Sequence, residues 1–215
     1  MAERKPKSIE LSESVLSIAL NLERLYAPTP ALIDFLDASG VLSPLDTMLL
    51  DEVSEKLLKN ADSWNEEELK MQYISMVIFL ARFSDKMRTY YDREIDADVN
   101  SVYIKCKADM MLSKGVGEVI QTPYFFLHEY KREKKYTGDP IGQMLGGMLV
   151  AQEKNNNDKP IYGCYVQGRF WFFSVLEGKK YVISQPLNAE KREDAEHVIF
   201  ILRKLNQTIL AQLGA

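Results

Sequence analysis

The sequence predicts an α/β protein, a mixed central sheet flanked by helices with an N-terminal helical extension. Three observations predict it. Apolar residues in the first hundred positions recur at helical spacing, the period changes to two from Val102, and a series of short apolar strands is followed by one long amphipathic stretch. Residues 1–62 read as the helical extension packed on the core, and residues 63–215 as the sheet-bearing domain.

Leu16, Ala19, Leu20, Leu22 and Leu25 form the first helical run, and Ser39-Gly40 separates it from a second over 45–58, started by Ser43-Pro44. A third helix starts at Ser63 or Asn65, with Glu66 or Glu68 completing a capping box, and continues through Ile74 and Ile78 to about Met87. From Val102 the apolar residues Ile104, Cys106, Ala108, Met110 and Leu112 alternate with Tyr103, Lys105, Lys107, Asp109 and Ser113, the mark of a strand with one packed face. Lys114-Gly115-Val116-Gly117 is a turn. The next strand, 123–131, is apolar on both faces at Tyr124, Phe125, Phe126 and Leu127, which places it inside a sheet covered on both sides. Gly138-Asp139-Pro140 opens a helix over 141–152. Its central Gly146-Gly147 costs ~1 kcal/mol per glycine relative to alanine, which close contact with the sheet is expected to offset. Strands over 161–166, 169–176 and 181–184 turn at Gln167-Gly168 and Glu177-Gly178, and a helix over 190–213 closes the chain.

Composition narrows the function classes. With 215 residues, 46% hydrophobic and 27% charged, the chain can bury a core, which excludes a disordered, collagen-like, coiled-coil or disulfide-scaffold protein. Its longest apolar stretches fall short of the ~20 residues a bilayer crossing needs. The N-terminus shows no apolar signal region, so a cytoplasmic location without membrane contact is expected. Cys106 and Cys164 sit in apolar strand runs and read as buried free thiols. Residues 1–100 carry 11 basic and 19 acidic side chains, a net of −8, whereas residues 101–215 carry 16 and 12, a net of +4. A polyanion would therefore meet the second half, where Lys105, Lys107, Lys114, Lys131, Arg132, Lys134 and Lys135 crowd together; the alternative is a solvated charged face.

Glu129-Tyr130-Lys131 puts a carboxylate and an ammonium on one face of a strand. Glu-x-Lys occurs five times, starting at Glu3, Glu68, Glu129, Glu133 and Glu177, so spacing alone selects none. Only Glu129 and Lys131 end an apolar central strand, where charge is costly without partners or a task. If the two strands form a hairpin, Asp109 lies near Glu129 on the same face. Two carboxylates beside a lysine outline a Mg²⁺ site able to favour phosphodiester hydrolysis, and a salt bridge of Lys131 with either acid is the alternative.

With Asp109 on one strand, Glu129-Tyr130-Lys131 on the next and Gln143 on the following helix, the chain resembles the PD-(D/E)XK nuclease superfamily, of restriction-endonuclease-like fold. The similarity continues through Gln143-Met144-Leu145-Gly146-Gly147-Met148-Leu149-Val150-Ala151-Gln152 and Gly168-Arg169-Phe170-Trp171-Phe172-Phe173, and covers residues 65–185. Ala108 stands where the name-giving proline would be. The resemblance implies that Asp109 and Glu129 ligate Mg²⁺ or Mn²⁺, that Lys131 assists the attacking water, and that Gln143 holds the site or the scissile phosphate. An additional metal-shell acid is expected on the first core helix, with Glu68 the candidate beside Glu66 and Glu67 and helix capping the alternative role. His128 alternates with Glu129 and is assigned to packing, as is His197. Trp171, Phe170, Phe172 and Phe173 are assigned to the core rather than to base stacking.

The expected function is thus a Mg²⁺- or Mn²⁺-dependent nuclease acting on nucleic acid, DNA before RNA. Lys105, Lys107, Arg132, Lys134 and Lys135 would neutralise phosphates, and a homodimer through the acidic front is compatible with it. The rival from another class is a catalytically silent scaffold of the same fold that binds nucleic acid or protein and keeps the three residues as an ion-pair cluster.

Overall fold

The computed structural model describes residues 7–134 and 137–213. Short polar residues set where its early helices begin. Ser12, Thr29, Ser43 and Asn65 are extended and each accepts the backbone N–H three residues on, opening α1 (Glu13–Leu20), α2 (Pro30–Leu36), α3 (Pro44–Asn60) and α4 (Glu66–Leu69). From α4 the chain passes through one π-helical turn, Lys70–Ile74, into α5 (Ser75–Ala81). The helix expected to reach Met87 stops there because Arg82 is left-handed, with φ of 53°. Likewise α1 ends at left-handed Asn21, and the residues read as its continuation form β1 (Glu23–Leu25).

The larger correction is β2 (Arg88–Val99), which lies where the sequence reading expects no strand. Ile95, Ala97 and Val99 pack inward while Glu94, Asp96 and Asp98 face water, so the period of two is present but carried by charged residues. β3 (Val102–Val116) and β4 (Val119–Lys131) form the expected antiparallel hairpin. Asp139 caps α6 (Pro140–Asn155) by accepting from the N–H groups of Ile141 and Gly142. Then come β5 (Ile161–Gln167), β6 (Phe170–Glu177), β7 (Lys180–Ile183), the short β8 (Leu187–Asn188) and α7 (Arg192–Gln212).

The strands form one mixed open sheet in the order β1-β7-β6-β5-β4-β3-β2, with β8 pairing β6 outside that path. β1 with β7 and β4 with β5 run parallel, and the other neighbours run antiparallel. β4 is interior, as its apolar run predicts; the side chains of Phe126 and Leu127 lie outside what is described. α1 and α6 cover one face with a core containing Leu16, Ile104, Leu145 and Met148, and α2, α3, α5 and α7 cover the other with Leu50, Tyr73, Trp171 and Leu202. The front of the chain is therefore part of the sheet's architecture, supplying an edge strand and helices to both faces. The glycines of α6 answer to it as well. A Cβ on Gly142 would meet Leu11 O at 2.5 Å, and one on Gly146 would meet Leu11 Cδ2 at 2.8 Å but Ile104 of the sheet only at 3.8 Å. The close approach is to the segment entering α1. Among the described residues no helix is long and apolar enough to cross a membrane.

Candidate active site

The β3–β4 register pairs Met110 with His128, so Asp109 and Glu129 are the next residues outward, at the point where the ladder stops. There Tyr130 N–H donates to Asp109 Oδ2 at 2.8 Å. The strands also change pleat at this level. Ile104, Cys106 and Ala108 of β3 pack toward α6, but Met110 and Leu112 pack toward the opposite helices. On β2, Asp92 stands opposite Asp109 between the pairs Tyr91–Met110 and Arg93–Ala108, and its φ is 53°. A paired reversal re-aims side chains without ending the sheet.

Glu129 and Lys131 project from the same face of β4, 3% and 6% exposed, and Lys131 Nζ donates to Glu129 Oε1 at 2.6 Å. Burial pushes the Glu129 carboxyl up to about 8, the charge of Asp109 pushes the same way, and Lys131 opposes both. Asp109 is itself raised by burial, against the Tyr130 N–H and two lysines. For Lys131, burial pulls downward, but the bond to Glu129 and the charges of Glu129, Glu66 and Asp109 prevail and leave it raised. The Gly168 N–H donates to Lys131 O at 2.9 Å, tying the end of β4 to the β5–β6 turn.

The predicted residues separate on inspection. Asp109, Glu129 and Lys131 are brought to one place. Glu68 is not with them: its carboxylate accepts from Asn65 N–H at 2.7 Å in the capping box. The helix acid that reaches the cluster is Glu66, 3.7 Å from Lys131 Nζ and raised above the ordinary glutamate range chiefly by burial. Gln143 lies one turn into α6, its buried Oε1 without a hydrogen-bond partner among the described residues and close to Gly138. Of the basic flank, Lys105 pairs with Glu94 at 2.9 Å, Lys107 with Asp92 at 3.4 Å and Lys134 with Asp62 at 2.8 Å. These cations are largely balanced in place. Arg132 is half-buried, and Lys135 lies outside the described residues.

Two participants escaped the sequence reading. Lys70, on the π turn, sits 3.1 Å from Glu67, 3.6 Å from Asp92 and 4.0 Å from Asp109, over the ring of Tyr130. It belongs to one of the Glu-x-Lys copies that spacing could not select, and π turns recur at functional sites. Asp92 gave no signal, because β2 itself was unread.

The residues assigned to packing do pack. His128 is buried against Tyr130 and Trp171 and is pushed down to about 3, so it is neutral near pH 7. His197 meets Leu36 O at 2.8 Å. Trp171 and Phe173 are fully buried, and Phe170 and Phe172 half-buried. Both cysteines are buried and free, with the Cys106 thiol pushed up to about 12 by burial.

Among the described residues no three His, Cys, Asp or Glu side chains converge as a ready metal-ligand set. Mg²⁺ nevertheless typically takes one or two protein carboxylates with water and phosphate completing its shell, and Asp109 and Glu129 supply hard oxygen donors whose mutual repulsion a cation would relieve. The donor set fits that ion class. Compared with models of known protein families and with curated proteins, the chain finds no match in either.

Proposed function

We propose that the chain is a nuclease of the PD-(D/E)XK type, with a restriction-endonuclease-like fold, hydrolysing phosphodiester bonds of nucleic acid, DNA before RNA, with Mg²⁺ or Mn²⁺. The observation that carries the reading is the gathering of acids where β3 and β4 part: buried Glu129 and half-buried Asp109 and Glu66 lie about Lys131 and Lys70, and burial together with the like charge of Asp109 raises the Glu129 carboxyl. An acid cluster left in mutual repulsion at the end of an interior strand is a poor structural device and a good cation seat.

Asp109 and Glu129 would hold the metal, with Glu66 rather than Glu68 as the additional acid. When bound, the metal supplies charge stabilisation to the phosphoryl oxygens and acidifies a water ligand. Lys131, released from Glu129, hydrogen-bonds and orients the attacking water, while Lys70 offsets negative charge on the side of Asp109. Gln143, its amide oxygen without a partner among the described residues, is assigned to holding the site or the phosphate. The second reading, a silent scaffold, is favoured by one observation: Lys131 and Glu129 already form a short buried pair.

Cleavage of labelled DNA, with Mg²⁺ and with chelator, separates the readings. Cleavage that needs the metal and disappears in Lys131→Ala, while that variant still melts cooperatively, is the expected result. Absence of cleavage from folded wild type with either metal favours the scaffold.

A further inference from the structure

The arginines differ in one respect that bears on substrate. Arg24, Arg82, Arg169, Arg192 and Arg203 each have a carboxylate partner. Arg88 and Arg93, both on β2, have none among the described residues. Arg88 donates to Gly117 O at 3.2 Å, and Arg93 lies over the Tyr90 ring at 5.8 Å with its Nε buried and unbonded. Guanidinium groups without counter-charge are matched to phosphate. Both line an open groove of about 660 Å³ along the outer edge of the sheet, together with Thr89, Tyr90 and Tyr91, and Asp85 is the acid on its wall.

The cluster's acids and lysines do not line the groove, but its wall adjoins them through Tyr91 and the following Asp92. Tyr91 is 46% exposed, and its phenol is near enough to Tyr130 to influence it electrostatically. The next residue, Asp92, is 3.6 Å from Lys70, which is 4.0 Å from Asp109. Two arginines without counter-charge and an exposed aromatic ring thus line one groove whose wall adjoins the proposed metal seat.

We infer that this groove binds a single-stranded stretch of nucleic acid, with Arg88 and Arg93 on backbone phosphates and Tyr91 stacked on an unpaired base. For cleavage of the strand, though not for its binding, the inference rests on the nuclease reading. A duplex keeps its base faces stacked inside, so an exposed ring beside phosphate-binding arginines adds affinity only for an unpaired strand. Beyond Arg93 the strand also presents exposed Glu94, Asp96 and Asp98, which would repel a longer backbone track.

The test is fluorescence anisotropy in chelator, which prevents metal-dependent cleavage, with a short labelled single-stranded DNA, an RNA of the same sequence and the corresponding duplex. One single strand or both should bind at least tenfold tighter than the duplex, and the better of the two assigns the sugar. Arg88→Ala with Arg93→Ala should weaken it tenfold or more and flatten the salt dependence by roughly 0.7 for each phosphate no longer neutralised. Tyr91→Ala should weaken it several-fold and Tyr91→Phe should restore it, an arm that decides the matter if the double variant fails to fold. Duplex binding as tight as single strand, single-strand binding unchanged by these substitutions, or equal competition by inorganic polyphosphate overturns the inference. Groove-dependent binding without metal-dependent cleavage leaves the groove standing and removes the nuclease. Cleavage with groove-independent binding does the reverse.

Discussion

Two buried acids in this molecule behave in opposite ways. Asp46 on α3 is 2% exposed and accepts from Arg82 at 2.5 Å and Arg203 at 2.8 Å, and these bonds, that to Arg82 foremost, hold its carboxyl below the ordinary aspartate range. Glu129 is as deeply buried, but only Lys131 bonds to it, Lys131 and Lys70 face the three acids Glu129, Asp109 and Glu66, and burial foremost pushes it up to about 8. The first carboxylate has more positive charge than it needs and pins α3 to α5 and α7. The second has less, two lysines among three acids. Burial alone does not mark a functional acid; burial with uncompensated like charge does.

The largest expected effect comes from placing one lesion in each region. Lys131→Ala should lower cleavage by about 10²–10⁴-fold with a cooperative melt retained, whereas Arg203→Ala should lower stability and leave the cleavage rate of the folded fraction unchanged, measured by initial rates beside melting curves. Equal losses of cleavage in both would erase the distinction.

pH separates the two acids by sign. A carboxyl raised in the folded state costs stability once the pH passes its unfolded value, so ionising Glu129 should destabilise the metal-free protein progressively between pH 4.5 and about 8, by roughly 2–4 kcal/mol. Asp109 and Glu66, also raised, add to the same trend. Asp46, lowered, contributes stability above its ordinary value of 3.8 that is lost as the pH falls through its folded value. Denaturant titrations without metal should therefore show Glu129→Gln gaining stability at pH 8 and losing most of the decline. Asp46→Asn should lose about 2 kcal/mol at neutral pH through its weakened charged hydrogen bonds.

A smaller effect sharpens the choice between neighbouring glutamates on α4. Glu68→Ala should cost about 0.5–1 kcal/mol as half of a capping box and leave cleavage intact. Glu66→Gln should change stability little but weaken the response to Mg²⁺. Melting curves with and without metal measure both, and the opposite pattern would return Glu68 to the site.

The hairpin and its charged residues were legible because an apolar interior strand is an improbable place for Glu129 and Lys131, but the register was not: counted from the Val116–Val119 turn Asp109 would face Phe126, and the irregularities between Leu112 and Lys114 move it three residues, to Glu129. The caps of α3, α4 and α6 were legible from Ser43-Pro44, Asn65 and Asp139-Pro140 for equally local reasons. What escaped depended on tertiary context. β2 carries its period on charged residues at a sheet edge, α1 and α5 stop at left-handed Asn21 and Arg82 rather than at glycine, and α2 is short despite its Thr29-Pro30 start. Lys70 and Glu66 join the site only because α4 and the π turn pack over the open end of β3 and β4.

The central claim is that Asp109 and Glu129 are held against their own repulsion to receive a cation, and thermal melts of wild type and Asp109→Asn, each with and without Mg²⁺ or Mn²⁺, test it most directly. Wild type should gain roughly 5–10 °C at metal concentrations near a hundred times Kd, and Asp109→Asn should equal or exceed wild type without metal and gain nothing from it. A metal-free Asp109→Asn less stable than wild type, with no response of either protein to the metal, would show a structural ion-pair cluster instead.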